Sequence, residues 1–309
     1  YLGNLVWPMF AYGWLLNMVE RGSAAYTRIN EILSIKPDIA DCGQIALTEV
    51  QSLQWNIREF RYPNASHAAL TDWSGSLTQG MTLGIVGPTG GGKTSFIRLL
   101  LRQYESDNVV IDINGRALAE ITLQSLRTHM VVVPQEPFLF SQTIAENIAL
   151  GSPQATQQQI EHAAILACLH EDIQHFPDGY HTLVGERGVT LSGGQKQRLA
   201  IARALLMNAQ VLILDDALPA VDVQTERKIL DALQLYRCVR NNNEQNTPDR
   251  ITIIVCHRLT AVEHASHIVV LDHGHPAEQG THQQLLANNR WYARMHRYQQ
   301  LEQAVLEGH

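Results

Sequence analysis

Gly87-Pro88-Thr89-Gly90-Gly91-Gly92-Lys93-Thr94 fits the phosphate-loop pattern G-x-x-x-x-G-K-[ST]. An apolar run, Leu83-Gly84-Ile85-Val86, precedes it and reads as a buried strand. Ser95-Phe96-Ile97-Arg98-Leu99-Leu100-Leu101 follows and reads as a helix. In that context the glycines let backbone N–H groups close around a triphosphate, and the helix N-terminus adds partial positive charge. The stretch from Gly87 to Ser95 therefore reads as an ATP site, with Lys93 reaching the β and γ phosphates and Thr94 holding Mg²⁺.

Working outward, strand-like apolar runs recur at Val109–Ile111, Met130–Val133, Val211–Leu214, Ile251–Val255 and Ile268–Leu271, alternating with helix-like segments. Continuous β-rich runs of this kind suit an α/β sheet buried on both faces. Two further groups carry phosphate chemistry. Leu191-Ser192-Gly193-Gly194-Gln195 opens a helix that continues through Leu205, a second anion-binding helix N-terminus. Val211-Leu212-Ile213-Leu214-Asp215-Asp216 ends an apolar strand on two carboxylates, where an acidic group can hold hydrated Mg²⁺.

Those motifs in that order resemble the ATP-binding cassette (ABC) family from about Val50 to about Leu286. The resemblance implies a P-loop nucleotide-binding domain with an inserted helical subdomain at about 141–206. Tyr62 takes the adenine-stacking position, and Gln135 the glutamine that senses Mg²⁺ and the membrane domain. Glu186 takes a loop that touches the partner's coupling helix, Asp222 an aspartate crossing the dimer interface, and His257 the switch histidine at the γ-phosphate. Ser192, Gly193, Gly194 and Gln195 would cap ATP held by the other protomer. Thr94, Gln135 and Asp215 form the expected Mg²⁺ set, and Asp216, His257 and Gln135 the expected catalytic set.

Ahead of the cassette, Tyr1 to Val19 contains no charged side chain, and its length approaches the roughly 20 residues of a spanning helix. Glu20, Arg21 and Arg28 follow as a cytoplasmic end. The expected organisation is a terminal membrane helix with its extension (1–33), a linker (34–48) marked by Pro37 and Gly43, the cassette (49–290) and a C-terminal helix (291–309). The resemblance implies a fragment of an exporter half in the inner membrane, multi-pass in full, with the cassette on the cytoplasmic face. Its partners would be a second half-transporter, membrane lipid and an exported small molecule.

Composition agrees. The 309 residues are 45% apolar, enough for a large core, and the net charge of −7 without a dense Lys/Arg tract disfavours nucleic acid. Cys42, Cys168, Cys238 and Cys256 form no C-x-x-C pair and read as reduced thiols. His264 with His267, and His273 with His275, lack partners in sequence for a closed metal site and read as solvated surface.

The sequence departs from the family in three places. Asp216 stands where glutamate is usual, about 1.5 Å shorter and outside the reach of 2.6 to 3.2 Å that a general base needs. Pro219 stands where serine is usual, and Arg240 to Pro248 is a polar insertion. A poor base beside an intact signature is the arrangement of heterodimeric exporters. The Asp215-Asp216-Ala217-Leu218 version, with the C-terminal Trp291-Tyr292 and Arg297-Tyr298-Gln299-Gln300-Leu301-Glu302, most resembles the bacterial Mdl (Smd) multidrug-resistance-like half-transporters. The alternatives are a homodimer in which Asp216 works as the base, and a soluble regulatory ABC ATPase.

Overall fold

The computed structural model describes residues 1–185, 191–217, 225–232 and 250–307, and divides into two units, 1–40 and 41–309. Glu186, Pro219, Asp222, Cys238 and the 240–248 insertion lie outside the described residues.

The first unit is one helix, α1 (Leu2–Ser34), with Pro8 inside it. At 33 residues it is about 50 Å long. The expectation of a spanning helix over Tyr1–Val19 is not met in hydropathy: among the described residues no helix is long and apolar enough to cross a membrane. Gly3, Asn4, Pro8, Gly13 and Asn17 dilute the apolar stretch.

The second unit is built on two sheets. Its elements in chain order are β1 (Ser52–Phe60), β2 (Leu70–Thr78), β3 (Thr82–Val86), α2 (Lys93–Leu100), β4 (Val109–Ile113), β5 (Arg116–Ala117), α3 (Leu123–His129) and β6 (Met130–Val133). Then come α4 (Ile144–Ala149), α5 (Gln157–Leu166), α6 (His170–Gln174), α7 (Gly193–Leu206), β7 (Val211–Asp215) and a helix α8 at 225–232. The chain closes with β8 (Ile251–Val255), a short 3₁₀ turn (Leu259–Val262), β9 (His267–Asp272), β10 (His275–Gly280), α9 (His282–Ala287) and α10 (Trp291–Glu307).

The larger sheet runs β10-β9-β3-β8-β7-β6, parallel except for β10. Its central parallel strands β8 and β7 read as largely apolar runs because both faces are covered. The pleat then sends neighbours to opposite cores. Val211, Ile213, Ile253 and Val255 join one cluster with Phe96 and Leu100 of α2, whereas Leu212, Leu214 and Ile254 join the other with Leu199 and Ile201 of α7. β4 departs from that expectation. It pairs antiparallel with β1 in the smaller sheet β2-β1-β4-β5, and its burial alternates because only one face meets the core.

The two sheets meet over α2. Phe96 lies 4.1 Å from the ring of Trp73 and 5.1 Å from that of Trp55, and all three are buried. Because α2 starts at Lys93, this aromatic packing also fixes where the phosphate loop ends. Phe96→Ala is expected to destabilise the chain by about 3–5 kcal/mol, read as a shift in the urea midpoint at unchanged slope.

Candidate functional site

Four parallel strands, β3, β8, β7 and β6, lie side by side and end together, so whatever follows each of them shares one edge. Gly87 follows β3, and His257 comes two residues after β8. Asp215 ends β7, and Gln135 comes two residues after β6. Ligands of open α/β sheets bind in the crevice at this carboxyl edge.

The loop after β3 is shaped by close backbone approach. A Cβ on Gly87 would stand 2.0 Å from the Leu271 carbonyl oxygen, and one on Gly92 would stand 2.6 Å from that of Ala69. Both residues also hold positive φ, 140° and 100°, so glycine is required twice over. Pro88, Thr89 and Gly90 are exposed, and Gly91 accepts a backbone bond from Gly274. Lys93 is buried, and its Nζ donates to the carbonyls of Gly87 at 2.8 Å and Pro88 at 2.9 Å. An ammonium carries three donors, so one remains for a phosphate oxygen. Burial lowers the Lys93 pKa, and Asp216 and Asp215 oppose that shift.

Asp215 has its pKa raised by burial first and then by the adjacent Asp216. Asp216 takes a left-handed backbone, φ 47°, while its N–H donates to the Val255 carbonyl at 2.7 Å. This turn brings its carboxylate within 3.3 Å of Gln135 Nε2 and 3.9 Å of His257 Nε2. Two crowded carboxylates beside a buried lysine form a donor set suited to a hydrated divalent cation, with Thr94 exposed at the start of α2.

Other expected residues sit at the margins of this cluster. The Tyr62 hydroxyl donates to Ser95 Oγ at 2.9 Å, and its ring packs edge-on against Phe60 and Tyr104, with Arg98 5.7 Å from the ring centre. Ser192 caps α7 by accepting from the Gln195 N–H, and the Gln195 side chain accepts in return from the Ser192 N–H. The Gln195 amide also donates to Asp172 of α6, which pairs with Arg198 at 2.6 Å. Ser192 and Gly193 are exposed, leaving the N-terminus of α7 open to a second molecule.

Two side chains whose contacts the sequence does not encode hold the loop after β8. Gln299 of α10 accepts from the Leu259 N–H at 2.9 Å and donates to the His257 carbonyl at 2.8 Å. Glu226 of α8, buried, accepts from Arg258 at 3.0 Å. Burial raises its pKa despite that partner. Gln299 lies some 40 residues from its partners, so these contacts leave no signal in the sequence. The buried Cys256 Sγ lies 3.0 Å from the Arg258 carbonyl, to which it donates, and burial pushes its thiol pKa up.

With that geometry in hand, comparison with known proteins places the chain. The ABC transporter family profile matches residues 70–219. The chain carries an ABC nucleotide-binding domain. It is 48% identical over 305 residues to the multidrug resistance-like ATP-binding protein MdlA of Escherichia coli, covering 99% of this chain and 50% of that protein. It is 41% identical over 283 residues to the ATP-dependent lipid A-core flippase of Alkalilimnicola ehrlichii, covering 91% and 46%. Among solved structures it matches a bacterial Atm1-family ABC exporter with ATP bound at a TM-score of 0.83 and 35% identity, covering 91% of this chain and 48% of that one. The chain spans about half the length of the curated relatives it matches.

A carboxyl whose pKa is raised on folding adds stability below its unfolded pKa of about 3.9 and loses it as pH rises through the folded value. Ionised Asp215 therefore destabilises the nucleotide-free ABC domain at neutral pH. Asp215→Asn is expected to raise its melting temperature at pH 7, an advantage that vanishes below about pH 3.9. Calorimetric scans across that range check it.

Proposed function

We propose that this chain is the ATP-binding and ATP-hydrolysing part of an ABC exporter half, working at the inner membrane with the cassette on the cytoplasmic face. The observation that carries the reading is the convergence of Lys93, Asp215, Asp216, Gln135 and His257 at one sheet edge, with Gln135 and His257 both directed at Asp216. In this reading Lys93 and the loop N–H groups bind the phosphates, Tyr62 faces the base, and Thr94, Asp215 and Gln135 hold Mg²⁺. The cation supplies charge neutralisation as the γ-phosphoryl group leaves. Asp216 accepts the proton of the attacking water, and His257 holds the γ-phosphate. Ser192, Gly193, Gly194 and Gln195 cap ATP on a second half-transporter chain, and Asp222 crosses to it. Support comes from the exposed N-terminus of α7, where Ser192 keeps its hydroxyl in the capping box.

Helix α1 and the linker after it join the cassette to its membrane domain in this account. Closure of two cassettes around ATP moves that domain and exports a drug-like or lipid-like molecule. The names of the relatives support both substrate classes.

Because aspartate falls about 1.5 Å short of glutamate, Asp216 is a weak base and the partner chain is a different one with the stronger base. Single-turnover hydrolysis at protein concentrations that force dimerisation tests this. Wild type is expected to bind ATP and turn it over slowly, and Asp216→Glu to raise the rate about 100-fold, the scale of a 1 Å correction in placement. A wild type already fast, with no gain from glutamate, replaces the heterodimer with a homodimer in which Asp216 is the working base.

A further inference from the structure

Away from the nucleotide edge, three polar side chains from three separate elements meet at the C-terminal end of the domain. Glu263 follows the 3₁₀ turn, His282 opens α9 and His296 lies in the middle of α10. One ligand atom from each lies within 4.8 Å of the other two. His296 Nε2 stands 3.1 Å from Glu263 Oε1. In a tetrahedral site with bonds of about 2.0–2.1 Å the donors stand about 3.3 Å apart, so this pair already spans one edge of such a polyhedron.

The surroundings orient the donors. The Tyr292 hydroxyl sits 2.8 Å from His282 Nδ1, which assigns that nitrogen to a hydrogen bond and leaves Nε2 for a ligand bond. A second partner of this kind fixes ring orientation and tautomer at metal-bound histidines. The Tyr292 ring stacks on His296 at an interplanar angle of 11°, and the two histidine rings lie 5.1 Å apart. His296 is buried, while Glu263 and His282 are partly exposed, which gives the cluster an entry path.

We propose that Glu263, His282 and His296 form a site for a divalent transition metal of the Zn²⁺ class, with water completing the coordination. Two imidazoles and one carboxylate suit Zn²⁺ and its neighbours, and not Mg²⁺ or Ca²⁺, which take oxygen donors. All three ligand atoms already lie within 4.8 Å of one another, near the about 3.3 Å edge of a closed tetrahedral site. The ion would tie the 3₁₀ turn, α9 and α10 together. His296 is one helical turn from Gln299, which holds the backbone of the switch loop, so the ion would also stiffen the support of His257.

Titration of Zn²⁺ into the metal-free full chain tests the site, with Co²⁺ absorption as a second readout. The expected result is one Zn²⁺ per chain, tighter than about 1 μM, and a Co²⁺ d–d spectrum of low coordination number. His282→Ala and His296→Ala should each weaken binding at least about 100-fold, and Tyr292→Phe about 10-fold. Glu263→Gln, which keeps a hydrogen-bond acceptor for His296, should weaken it at least about 10-fold and decides the matter if a histidine variant fails to fold. His264→Ala, at an exposed neighbour, should bind as wild type does. Zn²⁺ affinity unchanged in Glu263→Gln and in the folded histidine variants, or absent from wild type, overturns the site.

Discussion

A buried ammonium faced by two adjacent carboxylates is the constraint on which the domain depends. Lys93 is held by the carbonyls of its own loop, and Asp215 and Asp216 end the next strand but one. Burial works against the charges of Lys93 and Asp215 in the ordinary directions, lowering the lysine pKa and raising that of Asp215. Such a cluster persists because the sheet beneath it is packed on both faces and the loop glycines lie against the carbonyls of Leu271 and Ala69 with no room for a side chain. Polyphosphate with a divalent cation is the chemistry that satisfies it from both sides, anion to lysine and cation to carboxylates.

The same edge is wired to the helical part of the domain through polar side chains. Gln197 of α7 reaches toward the Gln135 carbonyl, at 3.5 Å. Arg203, on the same helix, donates to the carbonyls of Asn147 and Phe138, and Asn147 is fully buried with its amide donating to Phe140, Gln142 and Thr143. The segment after Gln135 is therefore held by the helix whose N-terminus carries Ser192. A displacement of that helix by a second molecule has a short mechanical route to the residue beside Asp216. On the other flank, α10 reaches the loop after β8 through Gln299, which donates to the His257 carbonyl.

Sequence reading found the parts whose chemistry is local. The phosphate loop, the Asp215–Asp216 strand end and the Ser192 helix start are each contiguous, and each takes the structure that its residues dictate, including the reciprocal cap at Ser192 and Gln195. Gln135 and His257 are single residues, legible only by their place relative to those motifs, and the parallel sheet supplies the reason they meet. What stayed hidden is non-local. β4 reads like its parallel counterparts, yet its alternating burial belongs to the antiparallel sheet. Gln299, Glu226 and the Glu263–His282–His296 cluster depend on contacts between elements distant in sequence, which no periodicity encodes. At the head of α1 freedom from charge is not hydropathy: asparagine, glycine and proline dilute it without charge, and among the described residues no helix is long and apolar enough to cross a membrane.

Calorimetric titration of ATP into the chain, with and without Mg²⁺ and beside Lys93→Ala, tests the central claim most directly. The account predicts one ATP per chain, bound at least about tenfold more tightly with Mg²⁺ because Asp215 and Asp216 otherwise repel the phosphates, and no measurable binding to Lys93→Ala. Affinity indifferent to both Mg²⁺ and Lys93 would contradict it.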